Sequence, residues 1–298
     1  MRGAGRAALL ALLLVAPPAG AQAARLVSTD SLARWLAREP VLLVDVRSDP
    51  FAWLEDHLPG AVYLNVETLR ATRDGVPMQL LEADDYRRLF RRLGIRLDRP
   101  VVVYSAGETR NMDATFLAWL LQGFGHPQVH LLDGGYYKWQ LEQRPLERRY
   151  PRVTPAPGWE RRPFRPALAT LEETRRASAT GDAVLVDARP PAQFRGEAGA
   201  QRRRGHIPGA VNRYWQDDLH TEGFGRVFRP AEELRREYAA LGITPDRPVI
   251  GYCNSTTEVS HVYFTLTSLL GFRDVRLYAG SWTEWAGRDD LPVATGER

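Results

Sequence analysis

PVIGYCNSTTE, at residues 248–258, is a short apolar run followed without a break by small polar residues. The apolar part, Val249 to Tyr252, has the length and character of a strand buried on both faces. From Val259 onward, apolar residues recur at helical spacing until Gly271, a residue type typical of helix ends. A buried strand, a polar loop and a helix in this order predict one unit of a parallel α/β sheet.

The same unit occurs twice in the chain. VLLVDVR at 41–47 matches AVLVDAR at 183–189, HLPGAV at 57–62 matches HIPGAV at 206–211, and PVVVY at 100–104 matches PVIGY at 248–252. A Gly-Phe pair and a Gly-x-x-x-x-Trp motif follow in both copies. Five landmarks in one order, at a spacing near the size of a domain, indicate a duplicated domain. We therefore predict two tandem α/β domains, each with a central parallel sheet flanked by helices.

The stretch between the two copies is rich in proline and arginine. Closely spaced prolines interrupt helices and sheet ladders, so residues 146–163 are predicted to form an extended linker. The first domain then covers residues 24–145 and the second covers residues 164–298. Helix Ala231 to Leu241, which follows a proline, is predicted on the surface of the second domain.

The N-terminus has the features of an export signal. Arg2 and Arg6 precede a short apolar run at 7–15, and Ala-Gln-Ala at 21–23 has the small-x-small pattern of a cleavage site. The run is too short for a resident membrane helix, although a retained anchor is the alternative. We predict a signal peptide at residues 1–23 and an exported chain without a membrane segment, periplasmic if the source is a Gram-negative bacterium.

Composition narrows the range of functions. The 298 residues carry a net charge of +4, almost wholly through arginine, and basic blocks alternate with acidic stretches. This mixed surface favours small anions as partners and argues against a nucleic-acid site. The single cysteine excludes internal disulfides and multi-cysteine zinc sites. We expect a monomer.

That cysteine, Cys253, directly follows a predicted strand, where ligands of parallel sheets bind. The loop after it contains no proline, so every residue offers an N–H group, and a helix N-terminus should lie near the sulfur. We expect an accessible thiolate with a pKa below the usual ~8.5, although a buried inert thiol is the alternative. Ser105 stands opposite Cys253 in the first copy, which predicts one active and one inactive domain.

With these motifs the chain resembles the tandem-domain rhodanese family of thiosulfate or 3-mercaptopyruvate sulfurtransferases. The motifs are Asp187-Ala188-Arg189, GHIPGA at 205–210, Tyr252-Cys253 and Gly280-Ser281-Trp282-x-x-Trp285. The resemblance implies an inactive N-terminal copy and a catalytic C-terminal copy. It also implies that Cys253 carries sulfane sulfur as a persulfide between a small anionic donor and a thiophilic acceptor. It implies no metal or organic cofactor.

The candidate site departs from the family pattern in two places. Family loops carry basic residues or a Gly-Ser-Gly-Val-Thr-like run after the cysteine, whereas Asn254, Ser255, Thr256 and Thr257 are neutral and Glu258 is acidic. A substrate-binding arginine often follows the aspartate by six residues, where this chain has Gln193.

We expect the loop residues, with Asp187, Arg189 and Gln193, to bind the donor, and Arg189 or Arg195 to replace the missing arginine. Asp187 has a purely structural alternative, because the first copy keeps the same aspartate as Asp45. His206 is repeated as His57 in the copy without a cysteine, which favours a structural role for it.

The sequence leaves three functions open. The first is sulfur transfer from thiosulfate, or from 3-mercaptopyruvate, to an acceptor such as cyanide. The second is a non-catalytic exported sulfur carrier or docking module, suggested by Glu258 and Gln193. The third is a cysteine phosphatase, which is disfavoured because the first arginine after Cys253 is Arg273, beyond the helix.

Overall fold

A computed structural model describes residues 23–107, 111–223 and 225–297. The proposed signal peptide, apart from Ala23, lies outside the described residues. Two five-stranded parallel sheets, one in each half of the chain, confirm the predicted tandem α/β architecture.

The first half contains seven strands and five helices among the described residues. The strands are β1 (Arg25–Val27), β2 (Leu42–Asp45), β3 (Val62–Tyr63), β4 (Arg70–Arg73), β5 (Val76–Leu80), β6 (Val101–Tyr104) and β7 (Val129–Leu132). The helices are α1 (Thr29–Leu36), α2 (Pro50–Glu55), α3 (Ala83–Arg92), α4 (Asn111–Gly123) and α5 (Gly135–Leu141). The order in the parallel sheet is β1-β7-β6-β2-β3, and β4 and β5 form a separate antiparallel hairpin.

The described second half repeats this plan. Its strands are β8 (Leu168–Ala169), β9 (Val184–Asp187), β10 (Val211–Asn212), β11 (Leu219–Glu222), β12 (Gly225–Phe228), β13 (Val249–Tyr252) and β14 (Val275–Tyr278). Its helices are α6 (Leu171–Thr180), α7 (Pro191–Phe194), α8 (Ala231–Ala240), α9 (Thr257–Phe264) and α10 (Ser281–Gly287). The parallel sheet has the order β10-β9-β13-β14-β8, and β11 and β12 form the hairpin.

The buried parallel strand predicted at Val249 to Tyr252 is confirmed as β13, and it lies at the centre of the second sheet beside β9. Every residue of β9 and β13 is buried, as the continuous apolar runs predict for strands with helices on both faces. Helix α9 begins two residues before Val259, and a π-helical turn, Thr265–Leu269, extends it toward Gly271. The predicted surface helix is present as α8.

The predicted linker contains no helix and packs against the first half of the chain. Trp159 is fully buried, and its indole N–H donates to the Ile95 carbonyl at 2.6 Å. Its ring meets those of Phe90 and Phe124 at 5.1 and 5.7 Å. The boundaries at 145 and 164 stay a prediction.

The two halves meet along α4 and α9, where the Thr115 and Ser260 hydroxyls lie 2.8 Å apart. Each hairpin also reaches the opposite half. The β4–β5 hairpin packs against α10, and the β11–β12 hairpin packs against α5. In the second of these contacts, the N–H of Arg226 donates to the carbonyl of Gly107 at 2.7 Å. Each hairpin therefore lies beside the loop that follows the central strand of the other half.

Candidate functional site

Cys253 follows the last residue of β13, at the carboxyl end of the sheet, as predicted. Its carbonyl accepts a hydrogen bond from the N–H of Trp282 at 2.8 Å, and its own N–H donates to the Ser281 hydroxyl at 3.4 Å. The expected accessibility is wrong: Cys253 is 0% exposed. The loop is polar, but it folds beneath α10 and the neighbouring domain, so its composition does not make the sulfur accessible.

Backbone N–H groups converge on the sulfur as predicted. The N–H of Ser255 donates to Sγ at 3.4 Å, and the N–H groups of Glu258 and Val259 also hydrogen-bond toward it. Thr256 makes this turn possible with a φ of 79°, and its hydroxyl donates to the Ala279 carbonyl at 3.0 Å. The loop curls around the sulfur and leads directly into the first turn of α9.

The predicted lowering of the thiol pKa is wrong. Burial, with a further contribution from the negative charge of Glu258, raises the pKa of Cys253 to about 12. The three N–H groups act in the opposite direction but do not outweigh the loss of solvent around a charged sulfur. In the closed site, Cys253 is therefore a neutral thiol at pH 7.

Asn254 joins the two residues that depart most from the family pattern. Its side-chain amide donates to Gln193 Oε1 at 3.0 Å and to Glu258 Oε2 at 3.3 Å. Gln201, which the sequence analysis did not single out, approaches Asn254 Oδ1 at 3.5 Å and Thr283 Oγ1 at 3.4 Å. The sequence signals no role for Gln201, because a loop far along the chain brings it here.

Glu258 does not simply extend into water. It is partly buried, and this burial raises the pKa of its carboxyl group, with a further contribution from Asp187. Its negative charge contributes to raising the pKa of Cys253 and also that of Tyr214. Glu258 therefore belongs to the surroundings of the sulfur, where it disfavours negative charge.

Asp187 and Arg189 form a fully buried ion pair. The Arg189 guanidinium donates to both Asp187 carboxylate oxygens, from Nε at 2.9 and 3.1 Å and from Nη2 at 2.6 Å. Nη2 also donates to the Gly205 carbonyl at 2.7 Å, and the guanidinium lies 4.6 Å from the centre of the Trp282 ring. Asp45 and Arg47 form the same fork in the copy without a cysteine. The repetition favours the structural reading of this pair, and donor binding by Arg189 stays a prediction.

The other expected replacement, Arg195, forms a two-bond ion pair with Glu197 at 2.7 and 2.9 Å. His206 is buried, stacks on Phe194 with ring centres 3.7 Å apart, and bonds the Phe194 carbonyl through Nδ1 at 2.8 Å. His57 makes the matching contacts with Trp53, which supports the structural role predicted for His206.

A residue of the first domain, Arg70, also contacts the loop. Its Nη1 donates to the Ser255 hydroxyl at 3.0 Å and to the Thr257 hydroxyl at 2.8 Å. Arg70 was not predicted from the sequence. Alignment of the two copies places Leu219 at the position of Arg70, but it does not show that this side chain reaches the loop.

Within the described ranges, no group of three histidine, cysteine, aspartate or glutamate side chains could hold a metal ion. The described helices also include none with both the length and the apolar character needed to cross a bilayer.

Comparison with known proteins identifies the duplicated unit. The Rhodanese-like domain model matches residues 28–142 and again residues 170–288. The chain is 36% identical over 287 residues to the sulfur carrier protein TtuD of Thermus thermophilus, covering 91% of this chain and 97% of the relative. It is 34% identical over 290 residues to the thiosulfate sulfurtransferase of Corynebacterium glutamicum, covering 92% of this chain and 91% of the relative.

Among solved structures, SseA from Escherichia coli, described as a 3-mercaptopyruvate sulfotransferase with the rhodanese fold, is 28% identical with a TM-score of 0.74. The match covers 87% of this chain and 99% of SseA. The paired sheets, the family matches to both halves and the similarity over nearly the whole chain lead to one conclusion. The chain belongs to the rhodanese family and carries two Rhodanese-like domains in tandem.

Proposed function

We propose that this protein is a sulfurtransferase in which Cys253 carries sulfane sulfur as a persulfide. The donor is thiosulfate or a related anion, and the acceptor is a thiophile such as cyanide. The observation that carries the proposal is the convergence of N–H groups on Sγ, with Ser255 at 3.4 Å. Fixed N–H dipoles stabilise a negative charge that develops on sulfur, whether on the attacking thiolate or on the persulfide.

The reaction has two steps. In the first, the Cys253 thiolate attacks the outer sulfur of thiosulfate, the S–S bond of the donor breaks, and its electron pair leaves with sulfite. In the second, cyanide attacks the terminal sulfur of the persulfide, and the electron pair of that S–S bond returns to Cys253 as thiocyanate leaves. Because the resting thiol is neutral and buried, the first step requires the site to open and the thiol proton to leave before Cys253 attacks, and the second step requires only the opening.

A sulfur carrier is the second candidate. The full burial of Cys253 and its raised pKa favour it, because both slow the attack on a donor and protect a bound sulfur. The 36% identity to a protein named as a sulfur carrier adds weight. In this reading the same persulfide forms but is released only to a protein partner.

Intact mass spectrometry separates the two candidates. Incubation with thiosulfate should add the mass of one sulfur atom to the wild-type chain, and Cys253→Ser should gain nothing. Rapid loss of this adduct on addition of cyanide supports the transferase. Persistence of the adduct supports the carrier, and absence of an adduct with every donor contradicts both.

The choice of donor is tested by comparing kcat/KM for thiosulfate and 3-mercaptopyruvate. The hydroxyl groups of Ser255 and Thr257 suit either anion, and the similarity to SseA keeps mercaptopyruvate in consideration. We also propose that the protein is exported and works as a monomer. N-terminal sequencing of the secreted chain, expected to begin near Ala24, and its mass in solution test these two points.

A further inference from the structure

We propose that Arg70, a residue of the first domain, binds the anionic group of the sulfur donor at the active loop of the second domain. The inference rests on the sulfur-transfer function proposed above and names a residue that recognises the donor. It assigns a substrate-binding task to the domain that lacks the cysteine.

Arg70 is the first residue of β4, in the hairpin that packs against the second domain. Its side chain is only 5% exposed, and Nη1 donates to Ser255 Oγ and Thr257 Oγ1 at 3.0 and 2.8 Å. Ser255 in turn donates its N–H to the sulfur of Cys253 at 3.4 Å. The guanidinium is thus bonded to the residue whose N–H contacts the reacting atom.

The active loop needs a positive charge that it does not itself contain. Residues 253–258 include no basic side chain, and Glu258 places a negative charge beside the sulfur. Arg189 is held by Asp187 and Gly205, and Arg195 is held by Glu197. Among the described residues, Arg70 is the arginine whose side chain hydrogen-bonds this loop.

Arg70 retains hydrogen-bonding capacity for a ligand. A guanidinium has five N–H donors in a planar fork that suits the oxygens of a sulfonate or carboxylate group. Nη2 pairs with Glu67, whose side chain is half exposed, while Nε is buried and has no hydrogen-bond partner among the described residues. The hydroxyl oxygens of Ser255 and Thr257 accept hydrogen bonds from Arg70, so the hydroxyl protons remain able to bond an oxygen of the thiosulfate.

The two copies differ at this position in the way the proposal requires. The 3₁₀ turns Val66–Leu69 and Trp215–Asp218 precede β4 and β11, so Leu219 stands where Arg70 stands in the first copy. The β11–β12 hairpin faces the loop that follows Ser105, which contains no thiol. The hairpin that faces Cys253 begins with arginine, and the hairpin that faces Ser105 begins with leucine.

This position assigns Arg70 to one half-reaction. It holds the sulfonate group of thiosulfate before the S–S bond breaks and the same group as sulfite afterwards. The persulfide that remains on Cys253 has no sulfonate, so discharge by the acceptor does not involve this contact. Loss of Arg70 should therefore weaken donor binding and leave discharge unchanged.

The test compares Arg70→Gln with Arg70→Lys, and Arg226→Gln is the control. Arg226 lies in the opposite hairpin, and its side chain donates to Gln216 in its own domain. Arg70→Gln should raise KM for thiosulfate about 10–100-fold, the effect of losing hydrogen bonds to a charged group, with kcat within about threefold. Arg70→Lys should raise KM less than Arg70→Gln does, because lysine retains the charge but loses the planar fork. Arg226→Gln should match wild type, and all three should discharge a preformed persulfide at the wild-type rate.

A binding measurement separates this inference from the proposed function. Thiosulfate is titrated calorimetrically into Cys253→Ser with and without Arg70→Gln, and the second change should weaken affinity about 10–100-fold. Equal thiosulfate affinities with and without Arg70→Gln would overturn the inference. So would equal KM increases for Arg70→Gln and Arg70→Lys, accompanied by slower discharge of the preformed persulfide. If Arg70→Gln does not fold, Arg70→Lys decides, because loss of the planar fork should weaken thiosulfate binding measurably, and an affinity equal to that of the wild type would overturn the inference. If no donor modifies the wild type, the proposed function fails, but the titration still decides the role of Arg70.

Discussion

Ser105 occupies in the first domain the position that Cys253 occupies in the second. Each follows the last residue of its central strand, β6 or β13, and each carbonyl accepts an N–H, from Tyr136 at 2.9 Å and from Trp282 at 2.8 Å. Both side chains are buried. The fold therefore accommodates either side chain here, and at this one position the two domains differ by a single atom, oxygen in place of sulfur.

Cys253→Ser should abolish sulfur transfer and leave the fold intact. The hydroxyl fits, as Ser105 demonstrates, but serine does not form a persulfide, so turnover should fall more than ~10³-fold. The rate of thiocyanate formation and the melting temperature are the measurements. Substantial transfer by a variant with an unchanged melting temperature would contradict the assignment of this thiol.

Alkylation of Cys253 by iodoacetamide should be slow at neutral pH. It should accelerate only at a pH well above about 8.5, which is the ordinary pKa of a cysteine thiol. Burial and the Glu258 charge raise the thiol pKa to about 12, so the reactive thiolate is scarce until the pH is high. Glu258→Gln should shift the profile to lower pH, because it removes the negative charge. A midpoint below that of free cysteine would mean that the N–H groups outweigh burial in solution.

Glu258→Gln should raise kcat/KM for thiosulfate about tenfold, and Glu258→Arg should raise it further. A carboxylate at ~6 Å with an effective dielectric near ~40 opposes each negative charge by on the order of 1–1.5 kcal/mol. Mercaptopyruvate, which carries less charge, should gain less, and high salt should reduce both gains.

The gain from Glu258→Gln should also depend on pH. The folded protein raises the pKa of the Glu258 carboxyl group, so the wild-type side chain loses its charge before an ordinary glutamate as the pH falls. The advantage of the glutamine variant is therefore full above this pKa and disappears below it. Equal rates for the two proteins at low salt and neutral pH would place Glu258 outside the path of the donor.

Arg189→Met and Arg47→Met should destabilise their domains by similar amounts. Each leaves a buried aspartate without its partner, which costs about 3–5 kcal/mol, and urea unfolding measures the loss. Similar losses support a structural role for both forks. An Arg189 variant as stable as the wild type but unable to bind thiosulfate would instead support the predicted substrate-binding role.

The sequence by itself determined the tandem α/β architecture, the family and the position of the single cysteine. These features depend on local patterns: apolar runs of strand length, helical periodicity, and motifs repeated in one order. Strand β13 and the polar residues after it are consecutive in the chain, so their order alone places Cys253 at the carboxyl end of the sheet. The N–H groups around the sulfur come from one short stretch, between Ser255 and Val259, and they could be predicted for the same reason.

Only the tertiary structure decided the electrostatics of the site. Burial of Cys253 depends on α10 and on the neighbouring domain, and a polar loop sequence does not reveal what covers it. The sign of the thiol pKa shift followed from that burial and from the direction of the Glu258 side chain. Arg70 reaches Ser255 across 185 positions of sequence. Such a contact depends on the packing of two domains, which local periodicity does not encode, so the charge nearest the loop became visible only in the folded chain.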